Sequence, residues 1–124
     1  MNLRFLAALI GLPLASAAQQ KIKLEDVASH AGDSVTVCAT VAACRYLNRA
    51  DGGPTYFYLG APYPRQSLTL VVWKKDRTFF KTPPELTYAD QDVCVAGRIE
   101  IVAQKPQIVL TNEKQIRVVD EDDD

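Results

Sequence analysis

Apolar and polar residues alternate from Ser34 to Val41, with Val35, Val37, Ala39 and Val41 on one side and Ser34, Thr36, Cys38 and Thr40 on the other. A period of two marks a strand buried on one face, so the pattern predicts a strand here. It runs on, bent, through Cys44-Arg45-Tyr46-Leu47. Asp51-Gly52-Gly53-Pro54 is a turn signal. Alternation resumes at Thr55 to Gly60, setting Tyr56 and Tyr58 against Phe57 and Leu59. Ala61-Pro62-Tyr63-Pro64 breaks the pattern, and the Leu- and Val-rich stretch Ser67 to Trp73 predicts a third strand. Lys74 to Tyr88 has no such period, and within it Pro84 to Ala89 suits one or two helical turns. Asp92 to Val102 predicts a fourth strand, with Val93, Val95, Ile99 and Ile101 on one side. Gln107 to Thr111 and Gln115 to Val119 make a last strand broken at Asn112. Lys21 to His30 reads as a lead-in strand or helical turn, closed by Gly32, so 19–33 is a lead-in and 34–119 the folded body.

Three strands, a helical connector and two further strands in so short a body must curl to bury their apolar faces, and closure would also remove exposed edges. The expected class is all-β: a five-stranded Greek-key barrel of the OB type, with a short helix between strands three and four. A β-sandwich is the runner-up, but it usually needs about seven strands. In such a barrel the first and fourth strands are neighbours. Cys38 lies opposite the valines of its strand, as Cys94 does in Asp92-Val93-Cys94-Val95, so the two thiols are expected to form a disulfide on the outer surface. Two unpaired thiols are the alternative. Cys44 is then left over, free or used between chains. The cysteines have no C-x-x-C spacing and no nearby His pair, so no metal site is expected.

The chain has 124 residues, room for one domain. Residues 1–18 carry the marks of an export signal: Arg4 near the start, an apolar run from Phe5 to Leu14, and small residues Ala15-Ser16-Ala17-Ala18. That run is too short for a bilayer crossing, which needs about 20 residues. The expectation is a periplasmic or secreted protein, not inserted in a membrane after cleavage behind Ala17 or Ala18. The end, Asp120-Glu121-Asp122-Asp123-Asp124, reads as a disordered, solubilising tail. A weak calcium contact or a cover over a basic face is the other reading. Without signal and tail the body has thirteen basic against ten acidic residues, far from the strongly basic domains that hold nucleic acid by charge alone.

Four stretches carry a resemblance: Gly32-Asp33-Ser34-Val35-Thr36-Val37-Cys38, Gly53-Pro54-Thr55-Tyr56-Phe57-Tyr58-Leu59-Gly60, Tyr63-Pro64 leading to Leu70-Val71-Val72-Trp73, and Val93-Cys94-Val95-Ala96-Gly97-Arg98-Ile99 with Lys105-Pro106-Gln107-Ile108. Together they resemble the small exported bacterial OB-fold proteins of the nucleic-acid-binding, tRNA-anticodon-like class. The resemblance implies a barrel over about residues 30–119. OB barrels bind single strands, sugars, peptides and proteins alike, so it does not fix the ligand. Two positions depart from the pattern. Ala39 follows the first-strand cysteine and Gln104 precedes Lys105, where such proteins often have glycine. Both bear on places where the backbone can need positive φ.

Oligomer-binding OB folds use the face of strands two and three with its loops. Single strands need flat side chains for bases to stack on and cations for the backbone. Tyr56, Tyr58 and Trp73 supply the first, and Lys74, Lys75, Arg77, Arg45 and Arg65 the second, with Tyr46, Arg49 and Tyr63 in adjoining loops. Phe57, Leu59, Leu68, Leu70 and Val72 are expected in the core, and Phe79 and Phe80 at the barrel bottom. One histidine and no Ser–His–Asp arrangement point away from an enzyme, and no cofactor is expected. The sequence therefore predicts a binding module for single-stranded nucleic acid or oligosaccharide. The alternative is an envelope module that docks on a partner protein.

Overall fold

A computed structural model describes residues 20–120. The expected signal over 1–18 and tail residues 121–124 lie outside the described residues. The elements are β1 (Gln20–Ile22), β2 (Ser34–Tyr46), β3 (Thr55–Leu59), β4 (Leu68–Val72), α1 (Pro84–Tyr88), β5 (Asp92–Arg98), β6 (Glu100–Val102), β7 (Lys105–Val109) and β8 (Ile116–Val118). Short 3₁₀ helices occupy Leu24–His30, Lys74–Phe79 and Glu113–Gln115. The lead-in thus holds both a strand and a helical segment.

The strands are hydrogen-bonded in the order β6-β7-β4-β3-β2-β5-β8, with β1 parallel to β2. The architecture is mostly β, but this is an open eight-stranded sheet and not the closed five-stranded barrel expected from the sequence. Of the three extra strands, β1 comes from the lead-in and β6 and β8 from local breaks. At Ile99 the backbone turns to another partner: its N–H donates to the Asp33 carbonyl at 3.0 Å and its carbonyl accepts from Gly32 N–H at 2.7 Å. The expected fourth strand therefore splits into β5, paired with β2, and β6, paired with β7. Ile99 stays buried while Ile101 is exposed, which corrects the expectation that the two share a buried side. The last strand breaks at Asn112, whose side chain caps the 3₁₀ turn 113–115. Gln115 stitches the gap, accepting from Thr111 and donating to the Ala96 and Val109 carbonyls.

The long β2 serves two ladders. Ser34 to Thr40 pair with β5, and Val41 to Tyr46 pair with β3, with a register shift between Val41 and Ala43 where the strand bends. Cys38 lies directly opposite Cys94, and the two form the disulfide, closing a sequence separation of 56 residues. Constraining so long a loop stabilises the fold by about 4 kcal/mol in the chain-entropy account. Phe57, Leu59, Leu68, Leu70 and Val72 are fully buried with Val35, Val37, Val41, Val93, Val95 and Ile108. Phe80 joins this core, whereas Phe79 points outward.

Local backbone geometry is exacting at two places around β7. A Cβ on Gly97 would lie 2.5 Å from Ile108 Cγ2, so only glycine lets β5 come this close to β7. The two-residue turn between β6 and β7 holds Ala103 at φ +50° and Gln104 at φ +69°. Positive φ at both central residues is the type I′ geometry that suits the twist of paired strands.

Candidate functional site

The register of β2, β3, β4 and β7 writes two rows across the sheet's outer face. One runs Arg45, Tyr56, Val71, Val109, and the other Ala43, Tyr58, Thr69, Gln107. Side chains of a strand alternate between faces, so the rows place Tyr56 and Tyr58 opposite the core residues Phe57 and Leu59. The loop 60–67 adds Tyr63, Pro64 and Gln66 along one border, and the β6–β7 turn adds Val102 to Lys105 along the other. Together they enclose a cleft of about 470 Å³.

Three tyrosines form its wall. The Tyr56 and Tyr58 rings stack with centroids 6.1 Å apart, and Tyr63 tilts against Tyr58 at 5.7 Å. These spacings leave no slot between rings for another ring, so a ligand can stack only on the outer faces. Tyr58 is 9 % exposed and Tyr63 66 %, which makes Tyr63 the open platform and Tyr58 its backing. Burial and then the neighbouring Tyr56 raise the Tyr58 hydroxyl pKa, with Arg45 opposing, so Tyr58 is neutral at physiological pH. Arg45 is exposed at the rim. Lys105 Nζ donates to the Pro64 carbonyl at 2.7 Å and so ties the two borders together. At the floor, Gln66 Nε2 donates to Thr69 Oγ1 at 3.0 Å.

The other residues singled out in the sequence lie elsewhere. Trp73, Lys74 and Lys75 border a separate hollow with Asn48, Ala50, Gly52 and Gly53. Gly52 lies against the Trp73 ring so closely that a Cβ would sit 2.9 Å from it. Arg65 is exposed on the loop beside the cleft without lining it. Arg77 is turned to the opposite side of the sheet. Its guanidinium grips Glu85 with two hydrogen bonds of 2.8 and 3.1 Å, donates to Thr55 Oγ1 at 2.7 Å, and lies 3.8 Å over the Tyr46 ring. Burial pushes the Glu85 carboxyl up, but the hydrogen bonds and charge of Arg77 outweigh it and hold the group below its ordinary value. Arg77 therefore fastens the connector to the sheet.

Cys44 is the free thiol, half-buried with its sulfur 4.0 Å from the Glu85 carbonyl. Burial, then the charges of Glu85 and Asp90, raise its pKa, which leaves it a poor nucleophile at neutral pH. Among the described residues, no three His, Cys, Asp or Glu side chains gather closely enough to hold a metal ion.

Gln66, Thr69, Lys105 and Gln107 belong to the cleft although sequence reasoning did not select them. Thr69 alone carried a signal, as a polar position between Leu68 and Leu70.

No protein family and no curated protein matches the sequence. Solved structures do match in shape. An OBody bound to hen egg-white lysozyme superposes with a TM-score of 0.54 at 12 % identity, covering 86 % of this chain and 98 % of that one. Aspartyl-tRNA synthetases from Leishmania major and Entamoeba histolytica give TM-scores of 0.53 and 0.52 at 13 % and 19 % identity. They cover 91 % and 95 % of this chain, which spans 23 % and 28 % of their length. At such identities the likeness is one of fold: the architecture is OB-like.

Proposed function

We propose that this protein is an exported, non-enzymatic binding module that takes single-stranded nucleic acid in the Tyr56–Tyr58–Tyr63 cleft, without a cofactor. The observation that carries the reading is the stacked tyrosine row, with an open platform at Tyr63 and the Arg45 cation at its rim. Stacking on aromatic side chains contributes about 1–3 kcal/mol per base and tolerates any sequence. Few cations face the cleft, so affinity is modest and the phosphate contribution small. Two of the structures similar in fold are enzymes named for their action on tRNA, which supports the ligand class. The Cys38–Cys94 disulfide supports an oxidising location such as the periplasm or the exterior.

The test is a salt titration of the purified protein against labelled single-stranded DNA and RNA, with envelope oligosaccharides in parallel. Single strands should bind at low salt, and Tyr63→Ala should weaken them about tenfold with the fold intact. A folded protein that binds no single strand at low salt refutes the reading. Selective capture of an oligosaccharide would keep the cleft and change the ligand.

A second reading, docking on a partner protein, draws on Phe79 and Leu86, large apolar side chains exposed on the connector. The OBody bound to lysozyme shows that a fold of this shape can engage a protein. Binding of a partner that survives Tyr63→Ala and is lost in Leu86→Asp would favour it.

A further inference from the structure

The floor of the cleft has a polar group that the fold does not satisfy. Gln66 is 7 % exposed, its Nε2 donates to Thr69, and its Oε1 is buried with no hydrogen-bond partner among the described residues. A buried acceptor without a donor is costly, and native proteins keep few of them outside working sites. Thr69 sits directly opposite Tyr58 on β4, and Gln107 lies opposite Thr69 on β7. The carboxamide, the hydroxyl and the second amide thus line the same cleft as the three tyrosines.

Resting on the nucleic-acid reading above, we propose that Gln66 Oε1 accepts a hydrogen bond from an N–H on the edge of the bound base, so that the cleft reads the base edge as well as its flat face. The Thr69 hydroxyl accepts from Gln66 Nε2, which leaves its own proton for an acceptor atom beside that N–H. Donor and acceptor atoms stand side by side on nucleobase edges. A purely apolar stacking floor would make no such demand. Less than 1 Å² of Oε1 is open to solvent, so the base reaches it only when a bordering side chain turns aside.

The test changes the ligand first and the protein second. Affinities are measured at one low salt concentration for short oligomers of dT, dC and dA. The same is done for their N3-methyl, N4,N4-dimethyl and N6,N6-dimethyl counterparts, which stack but offer no N–H on that edge. For the tightest-bound base, methylation should lower the affinity of the unmodified protein by about tenfold, the loss expected from one buried, unmatched acceptor. In Gln66→Met, which retains the side-chain length and lacks the acceptor, the methylated and parent oligomers should bind alike. Equal binding of the two by the unmodified protein overturns the proposal while leaving stacking in place, and requires no variant to fold. Failure of every oligomer to bind removes the nucleic-acid reading itself, and the edge reading with it.

Discussion

The turn between β6 and β7 holds two residues with a Cβ in a left-handed backbone conformation, Ala103 at φ +50° and Gln104 at φ +69°. For an L-residue that conformation costs roughly 1–2 kcal/mol, because Cβ crowds the following carbonyl oxygen. Glycine escapes the crowding but loses more chain entropy on folding, roughly 0.5–1 kcal/mol. Gln104→Gly should therefore stabilise the protein by a net of about 0.5–1 kcal/mol. Gln104 is exposed, so its side chain takes little apolar contact with it. In a domain of about 100 residues, 1 kcal/mol moves Tm by roughly 4–8 °C, so the expected rise is a few degrees. Gln104→Ala keeps the Cβ and should leave Tm near its starting value. Both are read by circular dichroism melts, with reversibility checked by a second scan. An unchanged or lower Tm for Gln104→Gly would refute the reasoning, and so would an equal rise for Gln104→Ala.

Gly97→Ala should cost about 1–3 kcal/mol, because its Cβ enters the space of Ile108 Cγ2. Urea midpoints measure this, and the double variant with Ile108→Leu, which lacks the Cγ2 methyl, should recover part of the loss; full additivity would show that the contact is not the cause. Replacing both Cys38 and Cys94 by Ser should lower stability by about 4 kcal/mol, also in urea, and a loss below 1 kcal/mol would show that the bridge constrains little. Glu85 has a depressed carboxyl pKa in the folded state, so its pairing with Arg77 stabilises above the unfolded value and is lost as pH falls through the folded one. Arg77→Met should flatten the decline in urea midpoint between pH 6 and 3, and a curve parallel to the unmodified protein's would remove the pair from the explanation.

The period of two located β2, β3 and the start of β5, because each has one face in the core, and the Leu- and Val-rich run located β4, which is buried on both faces. The cysteine pairing was legible for the same reason: Cys38 and Cys94 stand opposite their strands' valines, and neighbouring strands bring them together. Ile99 was not legible as a break, since its bonds to Gly32 and Asp33 come from a segment 66 residues away. That break cost the expected strand count and the side assigned to Ile101. The face of Tyr56 and Tyr58 was readable from alternation alone. Its companions were not: Gln66, Lys105 and Gln107 come from a loop and a distant strand, with no local period to mark them. Trp73 and Arg77 have the right chemistry for the site, but strand ends and connectors point where their contacts send them, to the Gly52 turn and to Glu85.

The division of β2 between two ladders also divides the labour of descent. Ser34 to Thr40 bear the bridge and the β5 pairing, and most changes there would be tested against survival of the fold. Beyond the bend, the outward side chain Arg45 is exposed and its partner Tyr56 on β3 is half-buried, so replacement there leaves the interior untouched. The bridged half can therefore hold the shape while outward positions of the other half are replaced.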